Sequence, residues 1–225
     1  AENHGIPARH MDELARIILG EGEAYRGQKM HASGEFDMKM RQATGIAKAP
    51  YVAAFVRMLW EQNHDPIVLY GWHREVYSIW QERLADLNPV LYTGTESPNQ
   101  KEHSKQAFIG GEAKVLLISL RAGAGLDGLQ QVSSTVVFGE LDWSPGVHEQ
   151  CTGRLNRDGQ ANPVFAYYPL ADHGSDPIIS DVLGVKQSQI EGVRNPQMEL
   201  VERLQVDPDH VKKLAAAYLK HRSKG

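Results

Sequence analysis

Apolar residues recur along this chain in two rhythms, and their alternation predicts its elements. The first rhythm is helical. Met11, Leu14, Ala15, Ile18 and Leu19 share one face of a helix over 11–19, which Gly20 and Gly22 end. Residues 20–35 read as a loop, because Gly20, Gly22, Gly27 and Gly34 stand among polar side chains. A short helix is expected over 35–45. Pro50 opens another over 49–61, with Val52, Phe55, Val56 and Leu59 as its apolar stripe. The second rhythm enters after Pro66. Ile67–Tyr70, Val90–Tyr92, Val115–Ser119, Thr135–Gly139 and Val164–Tyr168 are short apolar runs bounded by turn residues, and read as strands. Helices over 74–87, 98–110 and 147–155 separate them. The phrase VLGVKQSQIEGV reads as a connection onto a closing helix over 207–220, with Pro208 at its start and Val211, Leu214, Ala215 and Leu219 on one face. Strands alternating with helices predict an α/β fold: a parallel sheet flanked by helices on both faces, in three layers, with helical N- and C-terminal extensions.

Composition narrows the setting. The 225 residues suffice for one good core with extensions, and 41% hydrophobic with 23% charged residues is ordinary for a globular chain. The net charge of −4 supplies no overall basic field, so any contact with nucleic acid must use a local patch. A single cysteine, Cys151, excludes an internal disulfide and fits a reducing compartment. No apolar run approaches the roughly 18 residues of a membrane span, and no signal peptide is evident. The expected setting is intracellular, in the cytoplasm, at a nucleoid or from a phage genome, and not secreted, with no membrane partner. The ten histidines show no metal-binding spacing, so no metal site is expected.

The candidate chemistry gathers between Lys114 and Gln160. Arg121 and a glycine-rich loop, Gly123-Ala124-Gly125-Leu126-Asp127-Gly128, follow the strand over 115–119. The segment Gln150-Cys151-Thr152-Gly153-Arg154-Leu155-Asn156-Arg157-Asp158-Gly159-Gln160 follows the next strand. On a helix, Arg154 and Arg157 would project from one face. Two guanidiniums beside a glycine loop suit a polyphosphate, because guanidinium pairs bidentately with phosphate oxygens. The plainer alternative is a solvated helix face. The loop also spells G-x-G-x-x-G, with Glu140 ending the next strand. A dinucleotide fold is disfavoured, because Gly128 to Thr135 is too short a crossover for a helix. No G-x-x-x-x-G-K-S/T loop occurs, so no lysine cradles the β- and γ-phosphates of a nucleotide.

These motifs resemble the second motor domain of superfamily 2 helicases, most closely the Swi/Snf-type branch. The fifth family motif, S-x-R-A-G-x-G-L-N/D-L, is matched by Ser119-Leu120-Arg121-Ala122-Gly123-Ala124-Gly125-Leu126-Asp127, and departs at its last position, where Gly128 stands in place of an apolar residue. The sixth, Q-x-x-x-R-x-x-R-x-G-Q, is matched by Gln150, Arg154, Arg157, Gly159 and Gln160, and the turn Asp142-Trp143-Ser144-Pro145 lies between them. Weaker resemblance reaches to about Gln42 and about Gly192. The resemblance implies a RecA-like domain over 50–192, between extensions over 1–49 and 193–225. It implies a DNA-dependent ATPase or translocase of which this is the second lobe, either a fragment or a separate subunit. Arg154 and Arg157 would be arginine fingers. Gly125, Asp127 and Gln150 would lie at the nucleotide, and Thr93, Gly94, Arg121, Ala122 and Gly123 along a DNA backbone, without sequence specificity. Trp72 and His73 are candidates for the same groove. ATP and Mg²⁺ would bind only together with a first RecA-like lobe, which this chain lacks, so the isolated chain is expected to be inactive. A different reading is a non-catalytic nucleic-acid- or protein-binding module that keeps the fold.

Overall fold

Five parallel strands form one sheet at the centre of the computed structural model, which describes residues 8–20, 26–122, 126–184 and 208–223. They are β1 (Ile67–Gly71), β2 (Val90–Tyr92), β3 (Val115–Ser119), β4 (Thr135–Phe138) and β5 (Phe165–Tyr167), in the spatial order β2-β3-β1-β4-β5. The sequence-based expectation of a parallel sheet with helices on both faces is borne out. Each strand feeds two cores. Ile67, Leu69, Val115, Leu117 and Val137 lie in one, and Val68, Tyr70, Leu116, Ile118, Val136 and Phe138 in the other. Burial on both faces is why these strands read as continuous apolar runs.

The first core is closed by α2 (Arg26–Asn63), through Val52, Val56 and Leu59, and by α3 (Arg74–Arg83), through Val76 and Trp80. The second receives α1 (Ala8–Leu19), α4 (Pro98–Ile109), α5 (Pro145–Gly153), α6 (Asp176–Val182) and α7 (Pro208–Arg222). A capping box starts α4. Ser97 Oγ accepts from the Gln100 amide at 3.3 Å, and Gln100 Oε1 accepts from the Ser97 amide at 2.8 Å.

Three expectations are corrected. Residues 26–35 are helical rather than a loop, as the first part of a 38-residue α2. Ala32, Phe36 and Met40, spaced by four, are buried against α1 and α7, and this packing overrides the weak propensity of Gly27 and Gly34. Pro50 does not start a helix but sits inside α2, where a proline costs roughly 3 kcal/mol. Burial of Val52, Ala53 and Val56 beyond it offsets that loss, and the Trp80 indole holds the Ala49 carbonyl at 3.2 Å. The boundary expected between 49 and 50 therefore falls inside one helix. Finally, α6 reaches into the start of the phrase read as a connection, at Val182. Most of the phrase VLGVKQSQIEGV lies outside the described residues.

Trp80 also shapes the sheet's carboxyl edge. Its buried indole lies against the ends of β1 and β4, where any side chain at Gly71 would meet the ring 2.6 Å away and one at Gly139 would overlap it. Glycine is required at both positions by this close approach.

Candidate nucleotide and nucleic-acid site

Part of the set singled out from the sequence lies where ligands bind in open parallel sheets, just beyond the carboxyl ends of the strands. Trp72 and His73 follow β1, Thr93 follows β2, Arg121 follows β3, and the turn over 139–144 follows β4. Gly123 and Gly125 lie outside the described residues.

Arg154 and Arg157 do not share a helix face. Helix α5 ends at Gly153, and both arginines leave the turn beyond it in different directions. Arg154 is half-buried. It donates to the Ala122 carbonyl and, at 3.3 Å, to the Tyr70 hydroxyl, which itself donates to the Cys151 carbonyl at 3.1 Å. Burial raises the Tyr70 hydroxyl far above its ordinary pKa, so it stays a neutral partner. Arg157 is held more loosely. Its Nη1 donates to Asp127 Oδ1 at 2.6 Å and its Nε to the Gly153 carbonyl at 3.2 Å, with 42% of the Arg157 side chain and 78% of that of Asp127 exposed. Gln160 anchors this turn, donating to the carbonyls of Ser133 at 2.8 Å and Leu155 at 3.2 Å. Gln150 is exposed on α5.

Arg121 grips Asp142 with two prongs, Nε to Oδ2 at 2.9 Å and Nη2 to Oδ1 at 3.1 Å. The guanidinium is 42% exposed while the carboxylate is buried. Burial alone would raise the Asp142 carboxyl, but Arg121 and the Ser144 amide outweigh it and hold the group below its usual range. The charge extends inward. Trp143 Nε1 donates to Asp37 Oδ1 at 2.7 Å, and Arg41 donates to the Leu141 carbonyl at 3.0 Å, tying the turn to α2. His148 lies beneath, with Nε2 3.1 Å from both the main-chain N and O of Asp142, and burial pushes its pKa down to about 4. The sequence showed the turn but not these buried partners, which sit about a hundred residues away in α2.

At Thr93-Gly94-Thr95, the Thr93 amide already has an acceptor. The Thr93 amide donates to Glu96 Oε2 at 2.5 Å, and the hydroxyls of Thr93 and Thr95 each donate to Oε1 at 2.9 Å. Burial acts to raise the Glu96 carboxyl, and these donors outweigh it, leaving the pKa lowered. The Trp72–His73 turn is likewise bound to a carboxylate. Glu140 Oε2 accepts the Trp72 amide at 2.6 Å and the His73 amide at 2.9 Å, and Oε1 lies 2.6 Å from His73 Nδ1. Among the described residues no group of three or more His, Cys, Asp or Glu side chains is placed to hold a metal ion. These residues do not themselves fit Mg²⁺.

No protein-family model matches the chain. Curated proteins do. It is 26% identical over 170 residues to the SWI/SNF-related matrix-associated actin-dependent regulator of chromatin subfamily A-like protein 1 of Drosophila melanogaster, covering 73% of this chain and 22% of that protein. It is 26% identical over 176 residues to the human DNA annealing helicase and endonuclease ZRANB3, covering 76% and 16%. The chain thus spans less than a quarter of these relatives' length. Among solved structures, the Sulfolobus solfataricus SWI2/SNF2 ATPase core in complex with dsDNA aligns with a TM-score of 0.58 at 14% identity, over 80% of this chain and 42% of that one. The C-terminal part of the Fun30 ATPase domain aligns with 0.55 at 15%, over 75% and 53%. The fold is therefore that of a RecA-like lobe. Sequence relatives and fold neighbours agree on its kind: the chain is similar to the C-terminal, second motor domain of Swi/Snf-type superfamily 2 helicase-like ATPases.

Proposed function

We propose that this chain works as the second motor lobe of a Swi/Snf-type DNA-dependent ATPase or translocase. It completes an ATP site whose phosphate loop and Mg²⁺-binding carboxylates belong to a separate first lobe. One observation carries this reading: Arg157, in the turn after α5, is held by a salt bridge to the exposed carboxylate of Asp127, in the loop that follows β3. Such surface pairs contribute at most about 1 kcal/mol, so an incoming phosphate exchanges readily with Asp127. The two arginines then divide the work. Arg157 reaches the γ-phosphate on closure and stabilises charge that develops in the transition state. Arg154 stays tied to Ala122 and Tyr70 and fixes the turn that carries Arg157. Since the Ala122 carbonyl accepts from Arg154, a shift of the loop against DNA reaches the nucleotide side directly.

DNA is contacted along its backbone by Arg121, the segment 122–125 and the turn at Thr93 and Gly94. Glu96 occupies the Thr93 amide in this conformation, so Arg121 and the 122–125 segment carry most of that contact. The setting is intracellular, where ATP and DNA are found. The test is reconstitution. The purified chain should show no ATP turnover above background, and adding a first lobe in trans or by fusion should produce DNA-stimulated turnover. Robust hydrolysis by the chain alone, or none in the two-lobe protein, would contradict the proposal.

A further inference from the structure

The exposed indole of Trp72 has no part in the phosphate chemistry above, yet its backbone is fixed by a buried charge. Glu140 is 4% exposed, and its carboxylate accepts two successive amides, those of Trp72 and His73, while lying 2.6 Å from the His73 ring. Gly45 of α2 leaves the space for it, since a side chain there would come within 2.5 Å of Glu140 Oε1. Burying a carboxylate is costly unless its oxygens are satisfied. Here the satisfied oxygens hold a turn whose outward product is a large ring, 41% exposed. Trp80 and Trp143 are buried, and Trp60 stands edge-on to His64. Beside Trp72 on the same sheet edge is Arg121. Gly71 pairs with Ser119 in register, and the Leu120 amide donates to the Gly71 carbonyl at 3.0 Å, so the two chains emerge side by side. Thr93 follows β2, on the far side of β3.

We infer that Trp72 is a stacking platform for an unpaired nucleobase, held in place by Glu140 as a positioning residue. The inference rests on the nucleic-acid reading above and deepens it. Backbone contacts at Arg121 are indifferent to strandedness, whereas an indole face at the same edge rewards a base that has left its duplex. An aromatic face beside a cationic groove is the general means of holding single strands. The substrate class this selects is DNA with a single-stranded portion, such as a fork, gap or splayed junction.

The experiment uses the full chain, a single-stranded thymidine oligonucleotide and a blunt duplex of the same length. The oligonucleotide should quench wild-type tryptophan fluorescence and leave the emission of Trp72→Phe unquenched, because Trp80 and Trp143 are buried and Trp60 lies by Lys114 at the opposite end of β3. Trp72→Ala should weaken single-strand binding about 10-fold, the order that one stacked base contributes, with duplex affinity unchanged. Glu140→Ala should mimic that loss with Trp72 still present. Glu140→Gln should restore binding, since an amide oxygen still accepts both main-chain donors. Trp72 is exposed, so its variants fold and carry the test even if Glu140→Ala does not. Unchanged single-strand affinity in Trp72→Ala would overturn the inference, as would equal losses for single strand and duplex. A loss confined to association with the first lobe would assign the ring to a protein interface and overturn it too. Wild-type chain that binds neither nucleic acid would bring down the nucleic-acid reading itself, a result distinct from all of these.

Discussion

His148 shows how a single side chain couples this fold to pH. Its ring is buried against Phe138, 4.5 Å between centroids, and burial lowers its pKa from 6.5 to about 4. The unfolded chain takes up a proton near the ordinary histidine value, while the folded chain resists until much lower pH. The contribution to stability is therefore fully present above pH 6.5 and drains away as pH falls toward 4. Between pH 7 and pH 5 the wild-type protein should lose about 2 kcal/mol from this residue. Urea unfolding at the two values measures it, and His148→Gln should remove most of the difference. A pH dependence unchanged by the substitution would show that other groups carry it.

At the scale of elements, a buried ion pair pins the segment after β5 onto α2. Lys48 Nζ reaches Asp176 Oδ2 at 2.5 Å and the Pro169 carbonyl at 3.1 Å, and the Ala171 amide donates to the same carboxylate oxygen at 3.0 Å. Both side chains are almost wholly buried. Asp176→Ala should destabilise the protein by about 3–5 kcal/mol, because it strands a buried ammonium, while replacing both partners with apolar residues should cost less. Denaturant melts of the single and double variants decide this, and a double variant as unstable as the single one would contradict it. This pair also marks the limit of what the sequence revealed. The strands were legible, because both faces of β1, β3 and β4 are buried and their apolar runs are uninterrupted. Arg154, Arg157 and Arg121 stood out through motif spacing, but the shared helix face that spacing suggested for Arg154 and Arg157 is absent, because α5 ends at Gly153. The course of α2 was not, because its first half is held by α1 and α7 from the opposite ends of the chain. Nor were the partners of the site's charges, since Asp37, Arg41, Glu140 and Asp142 meet the groups they hold only through long-range packing.

On the scale of the whole molecule, a chain of net charge −4 is proposed to meet a polyanion. Its cationic contact must be local, through Arg121 and its neighbours at the sheet's carboxyl edge. Each phosphate neutralised there releases counterions, so affinity for random duplex should fall linearly on a log–log plot against salt, with a modest slope set by a few contacts. Fluorescence anisotropy at several salt concentrations gives the slope. Arg121→Ala should reduce it by about one, whereas sequence-selective or salt-independent binding would contradict a backbone contact.

The central claim is that Arg157 acts across lobes on the phosphates of ATP, and the most direct measurement is DNA-stimulated turnover of the two-lobe motor carrying Arg157→Ala. Turnover should fall by about 10³-fold or more, with DNA affinity near wild type, because such an arginine acts mainly in the transition state. Arg157→Lys should recover little, since one ammonium does not reproduce the planar fork. Arg154→Ala should also slow turnover, by loosening the turn, and should lower thermal stability, which Arg157→Ala should leave in place. Near-wild-type turnover in Arg157→Ala would contradict the account, leaving Arg157 as a solvated side chain beside Asp127.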